Sequence, residues 1–312
     1  MTEEQVDSNN YGTIRDNNTE NEIETSHTLL EKIMTTGRKP MLINTLIFLI
    51  IVFVFITFQL WIQPTKRGFF CDDETIRYPF KQDTVSPNAL IIFSVLPNIL
   101  IIFYGERKNT LNAKNSNYVR SKKYIQIMFQ FIVNFMWGLI LLCSFLNIIK
   151  VSVGRHRPYF LEICKPDVLK NQTCSDHSYI LNYTCTGTNI GLIKESSLSF
   201  PSGHSAISFF AATFFFLYVQ NRMIFIRRCY LLKSVIQFTA VVLAAFTAVS
   251  RIFDYHHHPE DVAVGTIIGI LFGYYFYFYN MFYGKRKNNK NDTVLSDGTA
   301  QHELLLNNER IV

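Results

Sequence analysis

Phe200-Pro-Ser-Gly-His204-Ser-Ala-Ile-Ser-Phe-Phe-Ala-Ala-Thr-Phe-Phe-Phe-Leu-Tyr-Val219 contains no Asp, Glu, Lys or Arg. A helix needs about 20 mostly apolar residues to cross the hydrocarbon core of a bilayer, and this stretch has that length. Its first four residues are of a different kind. Pro suits the first turn of a helix, Ser can cap it, and Gly lets the backbone come close to another group. The stretch reads as a membrane helix that starts at a polar boundary, with His204 in its first turn.

Five more apolar runs lie around it, at 41–62, 84–104, 123–149, 233–253 and 262–283. Pro87 and Pro97 interrupt the second, which is tolerated in a membrane helix when neighbours satisfy the freed backbone groups. Among the 312 residues 48% are hydrophobic and only 17% charged, with 28 Phe and 16 Tyr. Ordinary soluble domains are nearer about 25% charged. The expected fold is an all-α integral membrane protein with six transmembrane helices. The net charge of +6 comes from basic residues at the ends of the apolar runs. That placement reflects orientation in a bilayer, and no nucleic-acid partner is expected.

Loop charges set the expected topology. Residues 105–123 carry Arg107, Lys108, Lys114, Arg120, Lys122 and Lys123 against the single acid Glu106. Residues 220–233 carry Arg222, Arg227, Arg228 and Lys233, and Lys285, Arg286 and Lys287 follow the last run. The positive-inside rule places these segments and both termini in the cytosol. Loops 64–83, 150–198 and 254–261 are then outer, and the membrane domain covers 41–283. The polar tails 1–40 and 284–312 have the composition of disordered chain. No cleavable signal peptide precedes the first run. Asn171 and Asn182 are glycosylation candidates in the long outer loop, whereas the matching triplets at Asn17 and Asn291 fall in the tails. Of six cysteines, Cys71, Cys164, Cys174 and Cys185 lie in outer loops and are disulfide candidates, with three pairings open. Cys143 and Cys229 are expected to be inert thiols.

Three segments put polar groups where runs meet the outer surface. Lys150-Val-Ser-Val-Gly-Arg-His-Arg157-Pro158 ends the third run, and Lys150 and Arg157 share a face if its helix continues. Pro201-Ser202-Gly203-His204 opens the fourth, where a helix N-terminus offers free N–H groups to an anion. Ser250-Arg251-Ile-Phe-Asp-Tyr-His-His257-His-Pro-Glu-Asp261 joins the fifth and sixth. His257 and Asp261 are one helical turn apart, so a carboxylate can hold one ring nitrogen and leave the other as a nucleophile. Arg251 adds a planar fork for phosphate oxygens. Singly, each has a structural explanation: a snorkelling Lys, a capped helix start, Asp261 as an N-cap. The consecutive His256, His257 and His258 point in different directions and make a poor metal site. Together the segments supply three cations, a helix N-terminus and two histidines on one membrane face, which is the equipment phosphoryl transfer needs.

The pattern Lys-x6-Arg-Pro, Pro-Ser-Gly-His, Ser-Arg-x5-His-x3-Asp resembles that of the phosphatidic acid phosphatase type 2 superfamily. Within it the chain looks like the six-span lipid phosphate phosphatases over residues 60–283, including the first outer loop, Lys66–Lys81. The resemblance implies a phosphatase core at the outer ends of helices 3 to 6. It implies His257 as nucleophile, Asp261 orienting it, and His204 as general acid and base. Lys150, Arg157, Ser202, Gly203 and Arg251 would hold phosphate. No metal and no cofactor are implied. The expected substrates are phosphatidate, lysophosphatidate, sphingosine 1-phosphate and ceramide 1-phosphate. The plasma membrane is the first expectation for location, with endoplasmic reticulum and Golgi as alternatives. A transporter, a non-catalytic lipid-phosphate binder and a phosphatase of soluble esters are the rival readings. Pro259 falls between His257 and Asp261 and cannot sit inside a regular helix, so His257 is expected in a turn before the last run. Gly265, Gly269 and Gly273 suit close helix packing, within the chain in preference to an oligomer face.

Overall fold

A computed structural model describes residues 42–43, 45–111, 117–169, 177–223 and 229–279. Asn171, Cys174 and both tails lie outside the described residues.

The apolar runs become helices. They are α1 (Thr45–Leu60), α2 (Pro87–Leu111), α3 (Asn117–Val153), α6 (Gly203–Arg222), α7 (Tyr230–Phe253) and α8 (Pro259–Tyr279). Two short helices, α4 (Phe160–Cys164) and α5 (Ile190–Ser196), and a two-strand ladder of β1 (Phe69–Phe70) and β2 (Tyr179–Ile180) occupy the long loops. Prolines fall where helices tolerate them. Pro87 and Pro259 each take the first helical position, where the missing N–H costs nothing, and among the described residues only Pro97 lies inside a helix.

Four of the described helices, α2, α3, α7 and α8, are long and apolar enough to cross a membrane. The outward faces of α2 and α7 expose Ile91, Ile92, Phe93 and Phe103, and Phe238, Leu243, Phe246 and Phe253. Water would not tolerate apolar faces of that extent, and lipid does. The chain is a multi-pass integral membrane protein. α1 is shorter in its described part. α6 is 20 residues long but carries Ser, Thr and His, because it is the central helix. It packs against α2, α3 and α7, and against α8 along the glycine stripe. A Cβ on Gly265 would stand 2.5 Å from the Ser202 carbonyl oxygen, and one on Gly269 2.3 Å from that of Ala206. The stripe therefore serves contact between α8 and α6 inside the chain. Around α6 lies an aromatic core: Phe135 stacks on Phe210 at 5.3 Å, Phe131 meets Tyr218 at 5.3 Å, and Phe214 meets Tyr277 at 5.7 Å.

At one end of the bundle α3 and α7 stop and α6 and α8 begin. The segments between them cover this end through a second small core of Phe69, Ile76, Phe160 and Cys164. Of the three cysteine pairings left open, the structure contains Cys164–Cys185. Cys71 is also disulfide-bonded, and Cys143 and Cys229 are free thiols. Asn182 is exposed in this covering layer.

Candidate active site

α3 ends earlier than the shared-face reading of Lys150 and Arg157 requires. The helix stops at Val153, and Gly154 turns the chain with φ of +59°. A Cβ there would also strike the Thr65 carbonyl oxygen at 2.1 Å, so the turn needs glycine on both counts. Lys150 remains on the last turn, with Nζ donating to the Leu198 carbonyl at 2.9 Å, and it lies beside Gly203. Arg157 is brought back by the loop, its backbone N–H donating to the Ser196 carbonyl at 2.7 Å. Its Nη2 pairs with Glu195 at 3.1 Å, while Nε is buried and has no hydrogen-bond partner.

Ser202 caps α6, its side chain accepting from the Ser205 N–H. Its own N–H donates to the Asp261 carbonyl at 3.0 Å, joining the starts of α6 and α8. His204 is the second residue of α6, with Nε2 donating to the Val85 carbonyl at 3.1 Å. Arg251, 1% exposed, ends α7. Nη2 donates to Asp83 at 2.6 Å, and Nε and Nη1 are buried without a hydrogen-bond partner.

His257 lies in the turn between α7 and α8. Just before it, Tyr255 adopts φ of +60°. That left-handed conformation costs roughly 1–2 kcal/mol in a non-glycine residue. It is held by stacking on Tyr78 at 4.6 Å and by Lys81 Nζ 4.3 Å from the ring centroid. His257 and His256 both donate backbone N–H groups to the Arg251 carbonyl. Asp261 is the third residue of α8 and not its cap. Its carboxylate accepts the His258 N–H at 3.1 Å. Its contact with His257 is looser than a hydrogen bond, at 3.8 Å between Nδ1 and Oδ2.

All eight sequence-predicted residues, Lys150, Arg157, Ser202, Gly203, His204, Arg251, His257 and Asp261, thus gather at one end of the bundle. Burial pushes the His257 imidazolium well below its ordinary range, and the charges of Arg157, Lys150 and Arg251 push the same way. His257 is therefore neutral near pH 7, with a lone pair on its ring. Burial would raise the Asp83 carboxyl, but its bond to Arg251 and the Arg251 charge outweigh this and hold it low.

Sequence reading missed Arg155, Ser199, Asp83, Asp254 and Val85. Arg155 and Ser199 flank the motif positions without belonging to them. Asp254 lies inside the third quoted segment, at a position its motif leaves undefined, and accepts from Thr84. Asp83 and Val85 come from another segment, and only folding brings them near.

The PAP2 superfamily model matches residues 131–285, which include every one of the eight site residues. The chain is 36% identical to rat phospholipid phosphatase 1 over 244 residues, covering 77% of this chain and 84% of that protein. Against mouse phospholipid phosphatase 1 it is 36% identical over 257 residues, 79% and 88% of the two chains.

The chain belongs to the PAP2 superfamily.

By family it is a phosphatase. It is also 30% identical to mouse phospholipid phosphatase 2 over 230 residues, covering 74% of this chain and 82% of the relative. It spans 64% of the length of a Drosophila melanogaster relative with which it shares 35% identity. No solved structure matches. In this PAP2 chain the covering layer gives a pH signature. His156 is stacked on Phe160 at 3.8 Å, and burial lowers it to about 4. The unfolded chain takes up this proton first, near pH 6.5, so stability is full above pH 6.5 and falls as pH drops towards 4. His156 contributes about 2 kcal/mol to the loss between pH 7 and 5. Thermal unfolding in detergent should show it: His156→Gln, which keeps a donor for the Arg67 carbonyl, should make the fall shallower by that amount and leave the share of the other buried histidines, His256 and His257.

Proposed function

We propose that the chain dephosphorylates lipid phosphates, without a metal, through a phosphohistidine formed on His257 at the outer face of the membrane. One observation carries this reading: the buried N–H groups of Arg251 (Nε and Nη1) and Arg157 (Nε) have no hydrogen-bond partner and stand around a neutral His257. Orphaned guanidinium donors are costly to bury, and a phosphate group satisfies them with matching planar geometry. Lys150 and the N-terminus of α6 at Ser202 and Gly203 complete the anion site.

Chemistry follows from those positions. The Nδ1 side of His257 faces Ser199 and Asp261, so Nε2 attacks phosphorus. The P–N bond forms as the P–O bond to the lipid breaks. His204 donates a proton to the departing alkoxide, then takes one from water. That water attacks phosphorus, and the P–N bond breaks to release inorganic phosphate and neutral His257. The three cations neutralise charge on the transferring group.

A cavity of about 570 Å³ supports a lipid over a soluble ester. It lies between α2, α6 and α7, is lined by Leu90, Phe93, Phe215, Leu243 and other apolar residues, and reaches Thr84 and Val85 beside His204. From Val235 to Thr247 it follows α7 for about 18 Å. An acyl chain whose phosphate sits at His257 fits this course. The basic segments near Arg222 and Lys233 support a cytosolic opposite end and cytosolic termini, so the site faces the exterior or a lumen. The substrates in view are phosphatidate, lysophosphatidate, sphingosine 1-phosphate and ceramide 1-phosphate.

The test is phosphate release by purified protein in detergent with a chelator present, on long-chain and dihexanoyl phosphatidate. Ala240→Phe should fill the cavity and lower kcat/KM for the long-chain lipid by about tenfold, about 1.4 kcal/mol, while leaving the short-chain value within about twofold. Equal losses on both lipids would remove the acyl chain from the cavity. Chelator-sensitive turnover would remove the metal-free mechanism.

A further inference from the structure

Asp261 is fully buried, and its carboxylate belongs to a closed ring of hydrogen bonds. Arg155 Nη1 donates to Oδ1 at 2.7 Å, and Ser199 Oγ donates to Oδ2 at 2.5 Å. The Ser199 backbone N–H donates to the Arg155 carbonyl at 2.9 Å, which closes the ring. The His258 N–H adds a further bond to Oδ2. His257 stands outside the ring. Its Nδ1 is 3.5 Å from Ser199 Oγ and 3.8 Å from Asp261 Oδ2. The hydroxyl is thus nearer to the imidazole than the carboxylate is, and it lies between a donor on one side and an acceptor on the other.

We propose that Arg155 and Ser199 are positioning residues for the His257 nucleophile: Arg155 fixes the Asp261 carboxylate, and the Ser199 hydroxyl connects it to Nδ1. This rests on the reading of His257 as nucleophile. Ser199 accepts from Nδ1–H and donates to Asp261, so one tautomer is selected and Nε2 keeps its lone pair. The cation on Arg155 withdraws part of the carboxylate charge from His257. That keeps the imidazole neutral at lower pH than a bare His–Asp pair would. Arg155 also bonds Glu260 at 3.1 Å, which ties the ring to the first turn of α8. Arg155 acts through Asp261, and Ser199 through Asp261 and the His257 ring.

Sign and readout follow. Losing the Ser199 hydroxyl or the Arg155 cation leaves more carboxylate charge facing His257, and its proton affinity rises. The acidic limb of kcat/KM, which reports ionisation of the free enzyme, then moves to higher pH. In Ser199→Ala and Arg155→Gln we expect this limb to rise by about half a unit or more, with kcat down about ten- to a hundredfold. KM should stay within about twofold. Arg155→Lys retains the cation and should keep the wild-type limb. The full chain in detergent is assayed on phosphatidate, with unfolding temperature measured for each variant. A loss of kcat with an unmoved limb, tracked by a lower unfolding temperature, would make the ring merely structural and overturn the proposal. Wild-type kinetics in both Ser199→Ala and Arg155→Gln would overturn it as well. If His257→Ala is inactive in the same assay, such a failure concerns the ring alone. If His257→Ala is active, the nucleophile reading has failed and the ring falls with it.

Discussion

His257→Ala protein is expected to release phosphate from phosphatidate at about a thousandth of the wild-type rate or less, and His204→Ala protein to stall part-way through the reaction. The two losses differ in kind. On the proposed mechanism, without His257 no P–N bond forms, and only the anion site remains to favour direct attack by water. Sites stripped of a nucleophile lose on the order of 10³- to 10⁶-fold. Without His204 the nucleophile is intact, but the alkoxide leaves unprotonated and water is not activated, a loss of about 10²- to 10⁴-fold. An ester whose leaving group needs no proton separates these steps. On a nitrophenyl phosphate, His204→Ala should give a burst of nitrophenol equal to the enzyme present and then stop, with phosphate held on the protein in an acid-labile form. His257→Ala should give no burst. Wild-type turnover in His257→Ala would end the covalent mechanism. A His204→Ala protein that turns over phosphatidate normally would remove His204 from the reaction.

Much of this was legible in the chain. A run such as 200–219 announces a membrane helix by length and apolarity, and its Pro-Ser-Gly-His start announces an anion-friendly end. The histidine and arginine positions were readable because the three motifs each have fixed internal spacing. Less legible was how residues meet. Lys150 and Arg157 share a helical face only if the helix continues; Gly154 ends it between them, and the loop brings Arg157 back instead. A spacing of four lets Asp261 hold His257, and Pro259 puts His257 in a turn before the last helix, as expected. That turn leaves the imidazole 3.8 Å from the carboxylate, and Ser199 fills the gap. Asp83 and Val85 carried no signal, since their roles exist only once the first loop folds over Arg251 and His204. The pairing of Cys164 with Cys185 depends likewise on tertiary geometry that spacing does not encode. Glu106 was read as one acid in a basic loop. α2 runs on to Leu111, and this extension buries it.

That burial carries the second large effect. Glu106 is 1% exposed, and it accepts from Arg222 Nε at 2.8 Å, Arg222 Nη2 at 2.7 Å and Tyr218 Oη at 3.0 Å. Arg222 in turn lies over the Phe131 ring, 5.5 Å from its centroid. This cluster ties the far end of α2 to α6, about 28 Å along α2 from Pro87. Breaking one side of a buried ion pair costs about 3–5 kcal/mol, because the remaining charge stays buried without its partner. The two sides are not equivalent. Arg222 keeps 30% of its side-chain surface exposed and can turn towards water or headgroups, whereas Glu106, with 2%, cannot. Arg222→Ala should therefore destabilise more than Glu106→Gln, which leaves a neutral amide able to bond Tyr218. Unfolding midpoints in detergent should fall in that order. Turnover measured well below those midpoints should stay near wild type, since the active site lies at the other end of the bundle. The reverse order, or midpoints unchanged in both variants, would mean that the pair does not hold α2 against α6.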